Sequence, residues 1–174
     1  MTEKKTPPRR VPSRDEKYMG LAFWYASFSK DPVTQMGAVI VNGDNWSLGH
    51  GYNGMPSQYN DDSEDWGRPS KYDNIIHAER NAIDRCLNPM LLKDATIYVT
   101  GMPCKACMLR IVEAGLREVI YFSGNYFDVD SSCNVVEPSI DISRKGNIVL
   151  KRFVGNLNWM RDRIRWMESV GIFN

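Results

Sequence analysis

The sequence predicts an α/β domain, a three-layer sandwich in which helices cover both faces of a mixed sheet of roughly five strands. Three observations predict it. Apolar strand-like runs alternate with runs of helical period. The first two strands flank the turn signal Asn42-Gly43 and so form an antiparallel hairpin. Later, a strand, a helix and a strand follow one another with short joints, which requires parallel pairing through a right-handed crossover. At 174 residues the chain has the size of one domain able to bury its own core without disulfide staples.

Residues Met1 to Pro12 carry Lys4, Lys5, Arg9 and Arg10 among Pro7, Pro8 and Pro12. Such a composition buries too little surface to order itself, so 1–12 reads as a flexible basic arm before a single domain over 13–174. The arm is a solvated tail or a grip on phosphate. Ser13 and Glu16 have capping-box spacing, and Met19, Ala22, Phe23 and Ala26 follow at helical intervals, placing the first helix at Arg14 to Phe28. Asp31-Pro32 stops it, because the residue before proline is pushed out of helical geometry. Met36 to Val41 reads as a buried strand and Trp46 to Tyr52 as its return. Gly51-Tyr52-Asn53-Gly54-Met55-Pro56 ends that return with residues that tolerate positive φ. The segment is either a tight turn or a place where a ligand approaches the backbone. Ser57 to Asn74 is long and polar, with Asp61, Asp62, Glu64 and Asp65, and loops of that length are usually functional or disordered.

A second helical run opens at His77, with Ala78, Ala82, Ile83 and Leu87 as its apolar side, and Asn88-Pro89 breaks it. Ala95 to Val99 is the next strand. Cys104 to Ala114 follows as a helix, with Met108, Ile111 and Val112 on its apolar side and Gly115 as its C-terminal cap. Glu118 to Phe122 is a strand, Ser123 to Ile142 is polar and irregular, and Ile148 to Val154 is the last strand. Asn156 to Val170 reads as a helix, with Leu157, Met160, Ile164 and Met167 at spacings of three and four, and Trp159 and Trp166 besides. Its apolar face either docks on its own sheet or makes a subunit contact.

The chemistry concentrates in His77-Ala78-Glu79 and Pro103-Cys104-Lys105-Ala106-Cys107. Pro103 suits a helix start, and cysteines three apart share one helical face. A catalytic zinc takes nitrogen and sulfur ligands, commonly three from the protein with the fourth position left to water. His77, Cys104 and Cys107 are the candidate ligands, one catalytic Zn2+ per chain. Glu79 beside them can shuttle protons as the catalytic acid/base. A Cys-x-x-Cys alone would suit a structural zinc or redox chemistry equally. The added His-x-Glu and proline make up the signature of zinc deaminases, and a purely structural site needs no proton shuttle.

The charges nearly cancel, leaving +1, which argues against a dedicated polynucleotide binder. Of the four cysteines, Cys86 and Cys133 remain as free thiols, a usage that fits a reducing compartment. No apolar run approaches membrane-spanning length and no secretory signal is visible. The expectation is a cytoplasmic protein without a membrane partner.

Beyond the zinc motif, Ser29-Lys30-Asp31-Pro32, Gln35-Met36-Gly37-Ala38, Gly51 to Pro56 and His77-Ala78-Glu79-Arg80-Asn81-Ala82-Ile83 resemble the deoxycytidylate (dCMP) deaminase family. The resemblance spans about Lys17 to Asp130 and fades beyond, where the Trp-rich C-terminal helix is not a family feature. It implies a cytidine-deaminase-like fold and zinc-dependent deamination of dCMP to dUMP and ammonia, supplying thymidylate synthesis. In that family C4 of cytosine is attacked by a hydroxide while Glu79, carried over, would pass its proton to N3 and then toward the leaving ammonia. The resemblance also implies an effector site at Gly51, Tyr52, Asn53, Gly54 and Asn81, where dCTP activates and dTTP inhibits with Mg2+ on the triphosphate. It places Asn53, Ala78 and Tyr126 near the substrate, and it implies a homo-oligomer, a hexamer. Lys30, Arg68, Lys71, Arg80 and Lys105 are all candidates to read the 5′-phosphate. The rival enzymes are a dual dCMP/dCTP deaminase, a free cytidine deaminase and a tRNA adenosine deaminase. The rival of another class is a zinc-scaffolded regulatory module that binds nucleotides without catalysis.

Overall fold

Ser13 starts the first helix as its spacing requires: its hydroxyl accepts from the Glu16 N–H at 3.3 Å while the Glu16 carboxylate accepts from the Ser13 N–H at 2.8 Å. The computed structural model describes residues 11–60, 62–67, 69–122 and 136–173. Helix α1 is Arg14–Ala26, two residues shorter than predicted, and it buries Met19, Ala22 and Ala26. Strands β1 (Gly37–Val41) and β2 (Ser47–Tyr52) form the expected antiparallel hairpin. The turn is wider than the two-residue signal suggested. Asn42 N–H donates to the Trp46 carbonyl at 3.0 Å, and the left-handed residue is Asn45. The Asn42 side chain explains the difference, because its carbonyl accepts from the Asp44 and Trp46 N–H groups and folds the longer loop.

Helix α2 (Ala78–Asp84), β3 (Thr96–Val99), α3 (Lys105–Glu113) and β4 (Glu118–Tyr121) follow in the predicted order. Leu87, expected on the apolar side of α2, is fully exposed instead, because that helix ends before it. Gly115 takes φ +76°, and Leu116 and Gly115 N–H groups return to the Ile111 and Val112 carbonyls, closing α3 in a Schellman turn. Residues 136–142, expected to be irregular, begin helix α4 (Val136–Lys145). Pro138 lies in its first turn, where the missing N–H costs nothing. Strand β5 (Val149–Arg152) and helix α5 (Asn158–Ser169) complete the order.

The described strands form one sheet in the order β2-β1-β3-β4-β5. β1 is antiparallel to both neighbours, and β3, β4 and β5 are mutually parallel, so the sheet is mixed as predicted. On one face, Tyr18, Met19 and Ala22 of α1 pack on Val39, Val41, Tyr98 and Ile120. On the other, Ala82 and Ile83 of α2 and Met108 and Ile111 of α3 pack on Ile40, Ile97, Val99 and Val119. Each large apolar side chain so buried contributes about 1.5–3 kcal/mol against exposure. Helix α5 has no fully buried residue and lies over α1 rather than the sheet, with the Trp159 ring in the space left by the absent side chain of Gly20. Among the described residues no helix is long and apolar enough to cross a membrane.

Candidate metal centre

Three side chains reach one point because two helices begin there. His77 is the residue that caps the N-terminus of α2, in extended conformation, and Cys104 does the same for α3. Their carbonyls accept the first helical hydrogen bonds, from Asn81 at 3.0 Å and Met108 at 2.8 Å, which fixes both side chains beside the helix starts. Cys107 is one turn into α3. His77 Nδ1 lies 3.5 Å from Cys104 Sγ and 3.3 Å from Cys107 Sγ, and all three donor atoms lie within 4.8 Å of one another.

The surrounding chain holds this arrangement on both sides. Thr100, just past β3, accepts the Gly37 N–H on its hydroxyl at 3.0 Å, tying the start of the cysteine loop to β1. Ser139 of α4, wholly buried, donates to the Pro103 carbonyl at 2.9 Å and fastens the other end. The sequence offered no sign of Ser139, because it lies in a stretch whose helix was hidden by polar composition. Before His77, Gly54 and Ile76 exchange backbone hydrogen bonds of 3.1 and 2.9 Å.

Proton affinities in the cluster are mutually set. The Cys104 thiol is held down to about 4, chiefly by its hydrogen bond with Cys107, with burial opposing and His77 adding to the effect. The hydrogen bond with Cys104 is the largest cause for His77 too, raising it to about 9 against burial, with the Glu79 charge helping. Cys107 is pushed up by its hydrogen bond with Cys104, then by burial and the Glu79 charge. Burial also raises the Glu79 carboxyl, with the His77 charge opposing. Glu79 is only 5% exposed and in hydrogen-bond contact with the Cys107 thiol.

This donor set suits zinc. Ideal tetrahedral bonds of about 2.05 Å to nitrogen and 2.3 Å to sulfur give a nitrogen–sulfur edge of roughly 3.6 Å. The observed separations of 3.5 and 3.3 Å are close to it. Among the described residues this is the His/Cys/Asp/Glu cluster able to hold a metal ion. The second histidine, His50, lies elsewhere, stacked on Tyr25 with ring centroids 4.1 Å apart.

A cleft of about 960 Å³ opens over the cluster, lined by Tyr72, Ile76, His77, Arg80, Cys104 and Arg110 among others. A second, of about 180 Å³, is lined by Lys30, Tyr52, Gly54, Trp66, Asn81 and Arg85. Tyr52, Gly54 and Asn81, named together from the sequence, thus share a cleft. Gly51 and Asn53 do not line it. A side chain at Gly51 would stand 2.5 Å from the Ala78 carbonyl oxygen and 2.5 Å from the Ala82 nitrogen, so its bareness lets α2 lie against β2. Neither Gly51 nor Gly54 has the positive φ that the sequence allowed. Asn53 is buried, its amide donating to the Thr34 carbonyl at 2.9 Å and accepting from the Met36 N–H at 2.8 Å. The Asn81 amide donates to the Tyr52 carbonyl at 2.8 Å, and Ala78 is fully buried. Of the cations considered for phosphate, Lys71 is buried against Asp31, Arg80 pairs with Asp84 at 3.3 Å, Lys105 is exposed, and Lys30 lines the smaller cleft. Tyr126, Cys133 and Arg68 lie outside the described residues, as does most of the basic arm.

Comparison with known proteins points to the same family. The sequence profile of the "Cytidine and deoxycytidylate deaminase zinc-binding region" matches residues 12–123. Human deoxycytidylate deaminase is 42% identical over 123 residues, covering 67% of this chain and 68% of that protein. The probable deoxycytidylate deaminase of Drosophila melanogaster is 36% identical over 125 residues, covering 66% and 61%. Among solved structures, dCMP deaminase from the cyanophage S-TIM5 in complex with dCMP and dUMP superposes with a TM-score of 0.62 at 22% identity, covering 83% of this chain and all of that one.

Proposed function

The chain belongs to the deoxycytidylate deaminase family, and from that premise we propose that it deaminates dCMP, under nucleotide control and as an oligomer, with its residues dividing the work as follows. The observation that carries the reading is the approach of His77, Cys104 and Cys107 donor atoms within 4.8 Å, beside the buried carboxyl of Glu79. These three would hold Zn2+, which when bound supplies Lewis-acid activation of water at neutral pH. Glu79 takes a proton from the attacking water at its carboxylate and delivers it to N3 of cytosine. A bond forms from oxygen to C4; Glu79 then takes the second proton from the new C4 hydroxyl and hands it to the amino group, and the bond from C4 to nitrogen breaks, leaving the C4 carbonyl and ammonia. Burial that raises the Glu79 pKa suits a group that must both accept and donate near neutral pH. Ala78, at the buried start of α2, would present its backbone to the amino group; Asn53, its side chain committed to Thr34, Met36 and Asp31, would support the nucleoside site from behind, and the family resemblance adds Tyr126, which lies outside the described residues, as a nucleoside contact.

The product dUMP supplies thymidylate synthesis, and dCTP activates while dTTP inhibits. Support for an effector site comes from the cleft shared by Tyr52, Gly54 and Asn81, where Lys30 and Arg85 bring positive charge toward a triphosphate carrying Mg2+. Gly51 and Asn53 act there from behind, through the backbone they support. The active form is a homo-oligomer, a hexamer. The test is the initial rate against dCMP with and without dCTP and Mg2+. A sigmoidal curve that dCTP makes hyperbolic supports the regulatory site, and a curve indifferent to dCTP and dTTP removes it. dUTP formed from dCTP itself would make the enzyme a dual deaminase.

A further inference from the structure

A buried ion pair that the chemistry above does not use ties the long acidic segment to the body of the protein. Lys71 is 2% exposed and Asp31 1%, and Lys71 Nζ lies 2.7 Å from Asp31 Oδ2. A buried ammonium is costly unless paired and hydrogen-bonded. The partner here is itself held. Asp31 Oδ1 accepts from the Val33 and Thr34 N–H groups, each at 2.9 Å, and Asn53 Nδ2 approaches Oδ2 at 3.4 Å while donating to the Thr34 carbonyl. One network therefore joins the loop entering β1, the residue after β2 and the 3-10 turn Ser70–Asp73.

His77 follows six positions after Lys71. Over that short span the backbone is also tied: the Lys71 carbonyl accepts from Asn74 at 3.2 Å and Ile75 at 2.9 Å, and Ile76 is bridged to Gly54. Gly54 is the neighbour of Asn53, so the clamp grips the approach to His77 from both strands of that bridge. An apolar pair of equal volume would commonly stabilise a fold as well as a buried ion pair does. An apolar pair would not fix the distance and direction between two loops.

We propose that Lys71, held by Asp31 and Asn53, is a positioning residue that sets where His77 Nδ1 stands relative to the two cysteine sulfurs, and so sets the affinity of the metal centre. This rests on the reading of His77, Cys104 and Cys107 as zinc ligands. Groups that orient metal ligands from outside typically change affinity 10–100-fold when removed, and that is the size expected here.

The experiment titrates Co2+ and Zn2+, the latter against a competing chelator, into the full chain and two variants, Lys71→Met and the neutral double variant Asp31→Asn/Lys71→Met. The double variant leaves no unpaired charge in the interior. Its metal-free Tm is expected near that of the parent, with Zn2+ affinity lower by 10–100-fold and an altered Co2+ ligand-field spectrum. A double variant with parental affinity and spectrum overturns the proposal. If the parent itself shows no thiolate-to-cobalt absorption, the zinc reading has failed rather than the clamp. Should both variants fail to fold, hydrogen exchange on the parent decides. The amides of Ile75 and Ile76 are expected to open with those of α2 as one unit, and exchange of both as a free loop beside a protected α2 overturns the proposal.

Discussion

Alanine at Gly51 is expected to push α2 away from β2 and to damage the metal centre through that movement. The added Cβ would stand 2.5 Å from the Ala78 carbonyl oxygen, 2.5 Å from the Ala82 nitrogen and 2.8 Å from Asn81 Cβ. Two of these are helix backbone, so no rotamer change relieves them. Reaching an ordinary 3.4 Å contact moves the helix by the difference, 0.9 Å. Overpacking of this kind costs about 1–3 kcal/mol. For a chain of this length each kcal/mol lowers Tm by about 2–4 °C, so a fall of roughly 2–12 °C is expected. Because α2 carries Glu79 and starts at His77, a misplacement on the order of 1 Å would cut kcat by up to about 10²-fold. Gly54→Ala is the control, since nothing lies within 4 Å of a Cβ there and stability should be unchanged. Thermal unfolding and initial rates on both variants make the assay. If Gly51→Ala keeps the parental Tm and kcat and loses only its response to dCTP, the packing argument is wrong and Gly51 is an effector contact.

Glu79→Gln is expected to keep one bound zinc per chain by metal analysis while losing at least about 10²-fold in kcat, and near-normal turnover would remove Glu79 as the proton carrier. Metal-free protein should have Cys104 ionised at pH 6, given its pKa of about 4. Iodoacetamide should then label it at a rate independent of pH from 6 to 8 and Zn2+ should suppress labelling, whereas a rate climbing through pH 8 like that of an ordinary thiol contradicts the electrostatics. Burial pushes the Asp31 pKa up, but the Lys71 hydrogen bond, the Thr34 and Val33 N–H groups and the Lys71 charge together leave it below 3.8. A carboxyl depressed in the folded state stabilises above its unfolded value near pH 4 and loses that contribution as pH falls through the lower folded value. The urea-midpoint gap between the parent and Asp31→Asn should therefore be constant from pH 7 to 5 and shrink below about pH 4; a gap that persists unchanged into acid refutes the assignment.

The candidate metal centre was legible because the His-x-Glu and Pro-Cys-x-x-Cys signature joins two stretches 27 positions apart, and because each residue's place is set locally, His77 and Cys104 at helix starts and Cys107 one turn on. The signature supplied the long-range pairing that spacing does not, and position within a capping turn is a short-range property that spacing conveys. The mixed sheet was legible for the same reason, through a hairpin and a crossover. Contacts between distant segments were not. Lys71 reads as one more surface cation in an acidic loop, and only folding brings it to Asp31, forty positions away. Gly51 carried two readings, turn or ligand approach, and its actual neighbour is the backbone of a helix beginning twenty-seven positions later. Leu87 continued the apolar spacing of α2 past the point where the helix ends, so periodicity overran the structure. Helix α4 hid behind Pro138 and polar neighbours, and its buried Ser139 and Ser143 offer no hydrophobic signal.

The most direct test of the central claim is the product balance of the zinc-loaded chain with dCMP, followed by nucleotide chromatography and ammonia release. The account expects one dUMP and one ammonia for each dCMP consumed, abolished by Glu79→Ala with zinc still bound. Intact dCMP beside turnover of deoxycytidine or of an adenosine in tRNA would contradict it.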